Sequence, residues 1–315
     1  MTAAKGTDAE VIELVEAHGP AEAARRLNVS VRALVSRRRR LEEKLGRRIN
    51  GPEHQAAKPI NSHPHRIVLD IPTGTVLVGG DAHYWPGPAS TAHRAFVAFI
   101  KDLKPRAVVV NGDVFDGARI SRHPPIGWAK MPTVQEELEA GQERMHEIDL
   151  ACPRGCEKIW NLGNHDSRLE TRLALVAPEY AQVRGTSLQD HFENWRPAWA
   201  CWINDDVVIK HRFSGGMYAP RNNTLKAGKS MVTGHLHSAK VMPFTDYNGT
   251  RYGVDAGCLA DTYGQQFRDY TEDGPRDWIS GFCVLTFKDN RLLWPELVTV
   301  VDERHVQFRG EIIEV

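Results

Sequence analysis

Seven side chains able to hold or move charge stand directly after apolar runs in this chain: Asp81, His83, Asp113, Asn164, His211, His235 and His237. They are carboxylates, imidazoles and one amide, with no thiolate among them. That donor mixture suits Mn first, and also Fe, Zn, Ni or Mg, rather than a thiolate zinc site. Seven donors are too many for one catalytic ion and suit two that share a carboxylate. Two ions about 3.5–4 Å apart form a clamp for in-line displacement at phosphorus. The richest stretch is Trp160-Asn161-Leu162-Gly163-Asn164-His165-Asp166. Gly163 is expected to let the backbone turn sharply without a Cβ penalty. Asn164 then offers a carbonyl oxygen to a hard cation, and His165 can give or take a proton near neutral pH. Asp166 is expected to hold the His165 tautomer. Asp81 and His83, and likewise His235 and His237, stand two apart. On an extended strand each pair would face one side, and so one metal cluster. Taken singly, His83, His235 and His237 could equally be core histidines satisfied by backbone. Burying all these polar groups together without a metal would be costly.

These residues need strands to deliver them. The apolar run Thr75–Val78 ends at Gly79-Gly80-Asp81, and Ala107–Val110 ends at Asn111-Gly112-Asp113. Ile159–Leu162 ends at Gly163-Asn164, Val207–Lys210 at His211, and Met231–Thr233 at Gly234-His235-Leu236-His237. Helices are expected over 92–103 and 133–150, between the early strands. This is the order of an open α/β fold, where sites gather at the carboxyl ends of strands. The remainder reads as sheet edges and hairpins: 240–245, a turn at Asn248-Gly249, 251–255, 282–288, 292–301 and 306–315. Trp128, Trp195, Trp199 and Trp202 read as packing or as the wall of a substrate cleft. The acidic stretch from Asp269 to Asp277 reads as a solvated loop.

The first 48 residues differ in character. A helix carrying Val11, Ile12, Leu14 and Val15 ends at His18-Gly19-Pro20. Ala21–Leu27 forms a second, Asn28-Val29-Ser30 a turn with Ser30 as N-cap, and Val31–Leu45 a third. Val31, Leu34, Val35, Leu41 and Leu45 are expected to form the third helix's apolar face. Residues 25–48 hold ten Lys/Arg against two acids, although the chain's formal net charge is zero. Three helices with a short turn before a basic third one is the helix-turn-helix pattern. Ala21 to Leu34 resembles the helix-turn-helix of small transcription-factor and recombinase domains. Arg32, Arg37, Arg38 and Arg40 would then meet phosphates of nucleic acid. The competing reading is a solvated charge run on a small bundle that mediates self-association. The expected organisation is a helix-turn-helix domain over 1–48, a linker over 49–65 with idle histidines at His54, His63 and His65, and a catalytic domain over 66–315.

The chain has 315 residues, 41% hydrophobic and 25% charged, as in an ordinary globular protein able to bury a sizeable core. No apolar stretch approaches the roughly 20 residues of a membrane span. No apolar segment follows the N-terminal Met1-Thr2-Ala3-Ala4-Lys5, and the five cysteines are scattered, so a reducing cytoplasm is the expected compartment and no membrane partner is expected. Cys152 and Cys156 lack the second pair that a structural zinc site would need.

In their order, Asp81-Ala82-His83, Gly112-Asp113-Val114-Phe115-Asp116, Gly163-Asn164-His165-Asp166, His211 and Gly234-His235-Leu236-His237 resemble the motifs of calcineurin-like metallophosphoesterases. The resemblance covers essentially everything after residue 66. It implies a four-layer α/β/β/α sandwich. It also implies that Asp81, His83, Asp113 and His237 hold one metal, and that Asp113, Asn164, His211 and His235 hold the other, with Asp113 bridging. A metal-bridging water would be the nucleophile, His165 the general acid, and Asp166 its orienting partner. Arg168 and Arg122 are candidates for phosphate contact. Two positions depart from the family pattern. Phosphoprotein phosphatases of the superfamily carry Arg directly after the second Asp of the Gly-Asp motif, where this chain has Gly117, which counts against a Ser/Thr protein phosphatase. Arg212-Phe213 follow His211 in place of the usual glycine. The stretch from Asp113 through Ser121-Arg122-His123, Glu136-Glu137-Leu138 and Gly-Asn-His-Asp-x-Arg is similar to a group of phosphoesterases often encoded by bacteriophages, near DNA-repair exonucleases in sequence. The expected function is therefore a two-metal phosphodiesterase or nuclease brought to nucleic acid by its N-terminal helices. One alternative is a phosphomonoesterase or cyclic-nucleotide phosphodiesterase whose N-terminal module serves assembly into homo-oligomers. Another is a DNA-binding regulator with a structural metal domain.

Overall fold

The computed structural model describes residues 6–49, 51, 64–123, 130–271 and 276–315. Two compact units form, Met1–Ser62 and His63–Val315. The expected linker histidines His54 and His63, and Trp128, lie outside the described residues.

In the first unit, α1 (Asp8–Arg26) is broken at Gly19, whose φ of 77° separates two helical segments at the expected place. Thr7 and Glu10 form a capping box at its start. Ser30 caps α2 (Val31–Leu45), accepting from the Ala33 N–H at 3.2 Å. Val11, Val15, Ala23, Ala24, Leu27, Leu34 and Leu41 form the core. Ile49, expected in the linker, is buried in the same core. The apolar face expected on α2 is only half right. Leu34 and Leu41 are buried, whereas Val31, Val35 and Leu45 are exposed. Val31 and Val35 lie to one side of the buried stripe, and Leu45 is the last residue of the helix.

The second unit is built on two sheets. One runs, in spatial order, β1 (Arg66–Leu69), β6 (Ala200–Ile203), β7 (Val207–Ile209), β8 (Ser230–Thr233), β10 (Gly249–Asp255), β9 (Lys240–Asp246). The other runs β15 (Glu311–Glu314), β14 (His305–Phe308), β13 (Glu296–Val300), β11 (Gly281–Lys288), β2 (Gly74–Gly79), β3 (Ala107–Asn111), β4 (Glu157–Asn161), β5 (Arg196–Ala198), with β12 (Arg291–Leu292) beside β11. Val76, Val78, Val109, Ile159, Ile203, Val207, Val232 and Cys283 fill the space between the sheets. Leu77, Val108 and Val110 point the other way, into a core with Phe96 and Ile100 of α3 (Thr91–Leu103) and Ile148 of α4 (Val134–Ala151). The helix Arg168–Val176 is α5; α6 (Ala219–Ala227) packs on the six-stranded sheet, and α7 spans Gln265–Thr271. Helix, sheet, sheet and helix give the expected four-layer α/β sandwich. The early strands are unbroken apolar runs because both their faces are buried. β5 and β6 were not anticipated, and the expected strand over 292–301 breaks before β13 at Pro295, which has no N–H for the ladder. Among the described residues no helix is long and apolar enough to cross a membrane.

Two helices of the outer layer are pinned by a buried polar chain. Tyr84 Oη lies 2.9 Å from His93 Nδ1, and His93 Nε2 lies 2.7 Å from Glu147 Oε2. Burial drives the His93 pKa down to about 4, against the pull of Glu147. The unfolded chain therefore binds the proton more readily than the folded one between pH 6.5 and about 4. Stability from a neutral His93 is present above that window and is lost as the pH falls through it. Denaturant unfolding should show wild type losing stability relative to His93→Gln on acidification from pH 6.5 to about 4, with a flat difference above 6.5. A flat difference throughout would refute the assignment.

Candidate metal centre

The parallel strands β2, β3 and β4 end together at Gly79, Asn111 and Asn161, and their following loops meet at one edge. The loops after β2 and β3 zip side by side: Asp81 N–H donates to Gly112 O at 2.8 Å, and His83 N–H to Asp113 O at 2.9 Å. On the other sheet, β7 and β8 end side by side and lead to His211 and to His235 with His237. Two buried asparagines join the sheets there. Asn161 Nδ2 donates to Asn111 Oδ1 at 2.9 Å and to Ile209 O at 3.0 Å.

The loops are not extended, which corrects the strand argument for the paired ligands. Asp81, His83, Asp113, His235 and His237 have φ of 51°, 41°, 52°, 71° and 58°. Left-handed backbone in non-glycine residues costs roughly 1–2 kcal/mol each, and such strain gathers at functional sites. It also sends His235 and His237 to different places. Donor atoms of Asp81, His83 and His237 lie within 4.8 Å of one another, and so do those of Asp113, His211 and His235. Asp113 stands between the groups: its Oδ2 is 3.2 Å from His211 Nε2 and 3.9 Å from His83 Nε2, while Oδ1 accepts from the His165 N–H at 2.8 Å.

The donor atoms fit divalent cations. His83 Nδ1 lies 2.8 Å from Asp116 Oδ1, while His83 Nε2 is buried with no hydrogen-bond partner among the described residues. His211 Nδ1 lies 2.8 Å from Asn111 O, so a neutral ring turns a lone pair toward Asp113 Oδ2 and Asn164 Oδ1, both 3.2 Å away. Three acceptors converging there repel one another unless positive charge, a metal cation or a proton on His211 Nε2, lies among them. The electrostatics agree. Burial would raise the carboxyls of Asp81 and Asp113, but His237 and His211 outweigh it and hold both low. Burial lowers His211 less than Asp113 and Asp81 raise it, to about 10. The pocket attracts positive charge. Three motif glycines keep it open. A Cβ on Gly163, Gly112 or Gly234 would fall closer than 3.0 Å to Asp113 Oδ1, His211 Nδ1 or Asp81 Oδ2 respectively.

His165 lies beside these groups, its Nε2 3.9 Å from Asp113 Oδ2. Its orienting carboxylate is not Asp166, which corrects the sequence reading. Asp166 is spent on four backbone N–H groups, those of Asp113, Val114, Phe115 and Gly163, and on Trp160 Nε1. It shapes the loops, and burial with Asp113 nearby pushes its pKa up to about 6. Asp116 takes the predicted role: its Oδ1 is 3.0 Å from His165 Nδ1 and 2.8 Å from His83 Nδ1. Burial would raise the Asp116 carboxyl, yet these imidazoles hold it far below the usual range. Its motif position was the available signal. Glu137, buried on α4, accepts from the N–H groups of Gly117 and Ala118 and fixes the loop behind Asp116. Arg168, predicted to meet phosphate, donates to Asp116 O at 2.7 Å and lies 3.0 Å from His165 Nε2. Because arginine only donates, this contact needs an unprotonated Nε2, whereas Asp116 and Asp113 outweigh burial and raise the His165 pKa. A protonated His165 would release Arg168. Gly117 matters here too, since a Cβ there would press on Phe115 and meet Arg168 Cδ at 3.2 Å. Arg122 joins none of these contacts among the described residues; its Nε lies 3.4 Å from His123 Nε2.

The stretch expected as a solvated loop from Asp269 to Asp277 begins inside α7, which runs to Thr271 and whose Phe267 is buried 5.2 Å from the His83 ring; Trp278 lies 4.6 Å from the His237 ring. Residues 272–275 lie outside the described residues. Trp195 is core and Trp202 lies under the Arg66 guanidinium, whereas Trp199 lines a cleft with Asn164, Lys210, His211, Arg212 and Phe213. In the helical unit, Arg37 Nη2 pairs with Asp8 at 2.7 Å and Arg38 Nε with Glu42 at 3.5 Å. Arg40 reaches only Ser36 O, at 3.4 Å, and Arg32 has no carboxylate partner among the described residues.

The family described as calcineurin-like phosphoesterase matches residues 74–256. No curated protein matches the chain. Among solved structures, the chain is similar to a single mutant of Vps29 from Entamoeba histolytica, at 14% identity and a TM-score of 0.40, covering 76% of this chain and 99% of that one. The wild-type Vps29 of that organism complexed with zinc gives 15% and 0.40, covering 76% and 98%. A protein serine/threonine phosphatase from Saccharomyces cerevisiae, with similarity to human phosphatase PP5, gives 14% and 0.38, covering 76% and 85%.

Proposed function

Because the chain belongs to the calcineurin-like phosphoesterase family and is a metal-dependent phosphoesterase, we propose that it is a dinuclear phosphodiesterase acting on nucleic acid. Two His/Asp triads that converge on Asp113 Oδ2 carry the dinuclear reading. Asp81, His83, Asp113 and His237 would hold one ion, and Asp113, Asn164, His211 and His235 the other, Mn²⁺ being the first choice. Bound there, the ions would neutralise the phosphate and activate the attacking water. The chain's own groups do the rest. Asp116 fixes the His165 ring through Nδ1, which leaves Nε2 to give its proton to the leaving oxygen. Once Nε2 carries that proton, Arg168 Nη2 leaves it and is available to the phosphate, while Nη1 stays on Asp116 O. The test is hydrolysis of bis-p-nitrophenyl phosphate against p-nitrophenyl phosphate with added Mn²⁺. A diester preference is expected, abolished by chelation. A monoester preference would overturn the phosphodiesterase assignment.

The nucleic-acid substrate rests on the basic helix α2. Arg32 and Arg40 are its available phosphate contacts, since Arg37 and Arg38 are engaged within the unit. DNA binding should weaken with salt, and Arg32→Ala with Arg40→Ala should flatten the log–log salt slope by about 2. Binding should disappear on deleting residues 1–48; a deletion that binds DNA as wild type does would remove the helices from the argument. Exposure of Val31, Val35 and Leu45 favours a second reading, in which α2 joins copies of the chain and the substrate is a small phosphoester.

A further inference from the structure

A cleft of about 340 Å³ opens beside the second triad, with Asn164 and His211 in its lining. Its other walls combine two chemistries. Phe213 and Trp199 are 49% and 40% exposed, which is high for large aromatics. Lys210 and Arg212 stand among them, and Lys210 Nζ lies 5.8 Å from the Phe213 ring centre. Arg212 and Phe213, directly after His211, supply a cation and an aromatic ring to this wall. A phosphoester hydrolysed at the triads must put one of its substituents somewhere near them. Here that place offers π-faces for a flat ring and cations for an anion attached to it.

We propose that this cleft is a nucleotide subsite, in which a nucleobase stacks on Phe213 against Trp199 and the adjoining phosphate meets Lys210 and Arg212. The proposal deepens the nucleic-acid reading above and rests on it for the reaction, though not for binding. Stacking on an aromatic side chain tolerates every base because each has a π-face, so the subsite selects nucleotides without reading sequence. The volume suits one such unit. The ligand is a nucleotide unit, either free or at the end of a strand.

Calorimetry on the full chain with Mn²⁺ separates the possibilities. Thymidine 5′-monophosphate should bind about tenfold tighter than deoxyribose 5-phosphate, which lacks the base. Phe213→Ala should cut that ratio to about 2 or less, and Phe213→Tyr should restore it, since the half-exposed ring is replaceable without touching the core. Oligothymidylate binding tighter than the monophosphate would place a strand there; equal binding would place a free nucleotide. A wild-type ratio near 1, or a ratio that survives in Phe213→Ala and in the Phe213→Ala/Trp199→Ala double variant, overturns the subsite. Turnover of thymidine 5′-p-nitrophenyl phosphate is read in parallel. No turnover with the binding ratio intact sinks the phosphodiesterase reading and keeps the subsite, and turnover with a ratio near 1 does the reverse.

Discussion

Replacing His165 by asparagine is expected to lower kcat on bis-p-nitrophenyl phosphate about 10²–10⁴-fold, the usual worth of a positioned general acid. Metal content should stay at the wild-type level. The separation follows from where the ring sits. His165 is outside the two triads beside Asp113; its donor atoms cluster instead with those of His83 and Asp116, and there its Nδ1 is committed to Asp116 Oδ1 at 3.0 Å. Its backbone N–H, which asparagine retains, is the group that holds Asp113 Oδ1 at 2.8 Å. The variant thus removes a proton donor and keeps the carboxylate in place. Asp116→Asn should act differently, because Asp116 also orients His83 at 2.8 Å, and should weaken metal binding as well as turnover. A loss below about tenfold in His165→Asn would show that this imidazole transfers no proton in the slow step. Metal lost in parallel with activity would make it a ligand.

That contrast between two neighbours of one ring marks how far the sequence could be read. The ligand types were legible because carboxylate, imidazole and amide follow apolar runs, and such runs end at a sheet edge in an α/β fold. The layered fold followed from the same alternation of buried strand and helix. The roles of the two acids were not legible. Asp166 adjoins His165 in the chain, so it looked like the partner, but four loop backbone N–H groups and Trp160 claim its oxygens. Asp116, 49 residues away, reaches the ring only because the loops after β3 and β4 lie together. Backbone hand was invisible too. Nothing in the types of His235 and His237 announces φ of 71° and 58°, the turn that sends them to separate triads. On α2 the density of arginine was plain, but which of them faced a carboxylate depended on Asp8, 29 residues upstream of Arg37.

Gly163→Ala tests the most compact piece of this design, and it should lower metal affinity about 10–100-fold, as loss of a supporting contact around a metal site does. The reason is not the one expected from sequence. Gly163 does not adopt positive φ, so an alanine meets no backbone strain there. The obstacle is space. A Cβ at this position would lie closer than 3.0 Å to the N, Cγ and Oδ1 of Asp113, and real Cβ atoms essentially never come so near. Neither side can yield cheaply. The Gly163 N–H donates to Asp166 Oδ2 at 2.8 Å, and the Asp113 N–H donates to the same oxygen at 3.0 Å, so both backbones are tied to one buried carboxylate. Moving Asp113 displaces the carboxylate that belongs to one triad and stands against His83 of the other, and overpacking of this kind costs about 1–3 kcal/mol of stability besides. Calorimetric titration with Mn²⁺ and thermal unfolding of the purified variant would read the two effects together. Wild-type affinity in a folded Gly163→Ala protein would mean that Asp113 can shift without loss, and so that it does not bridge two ions.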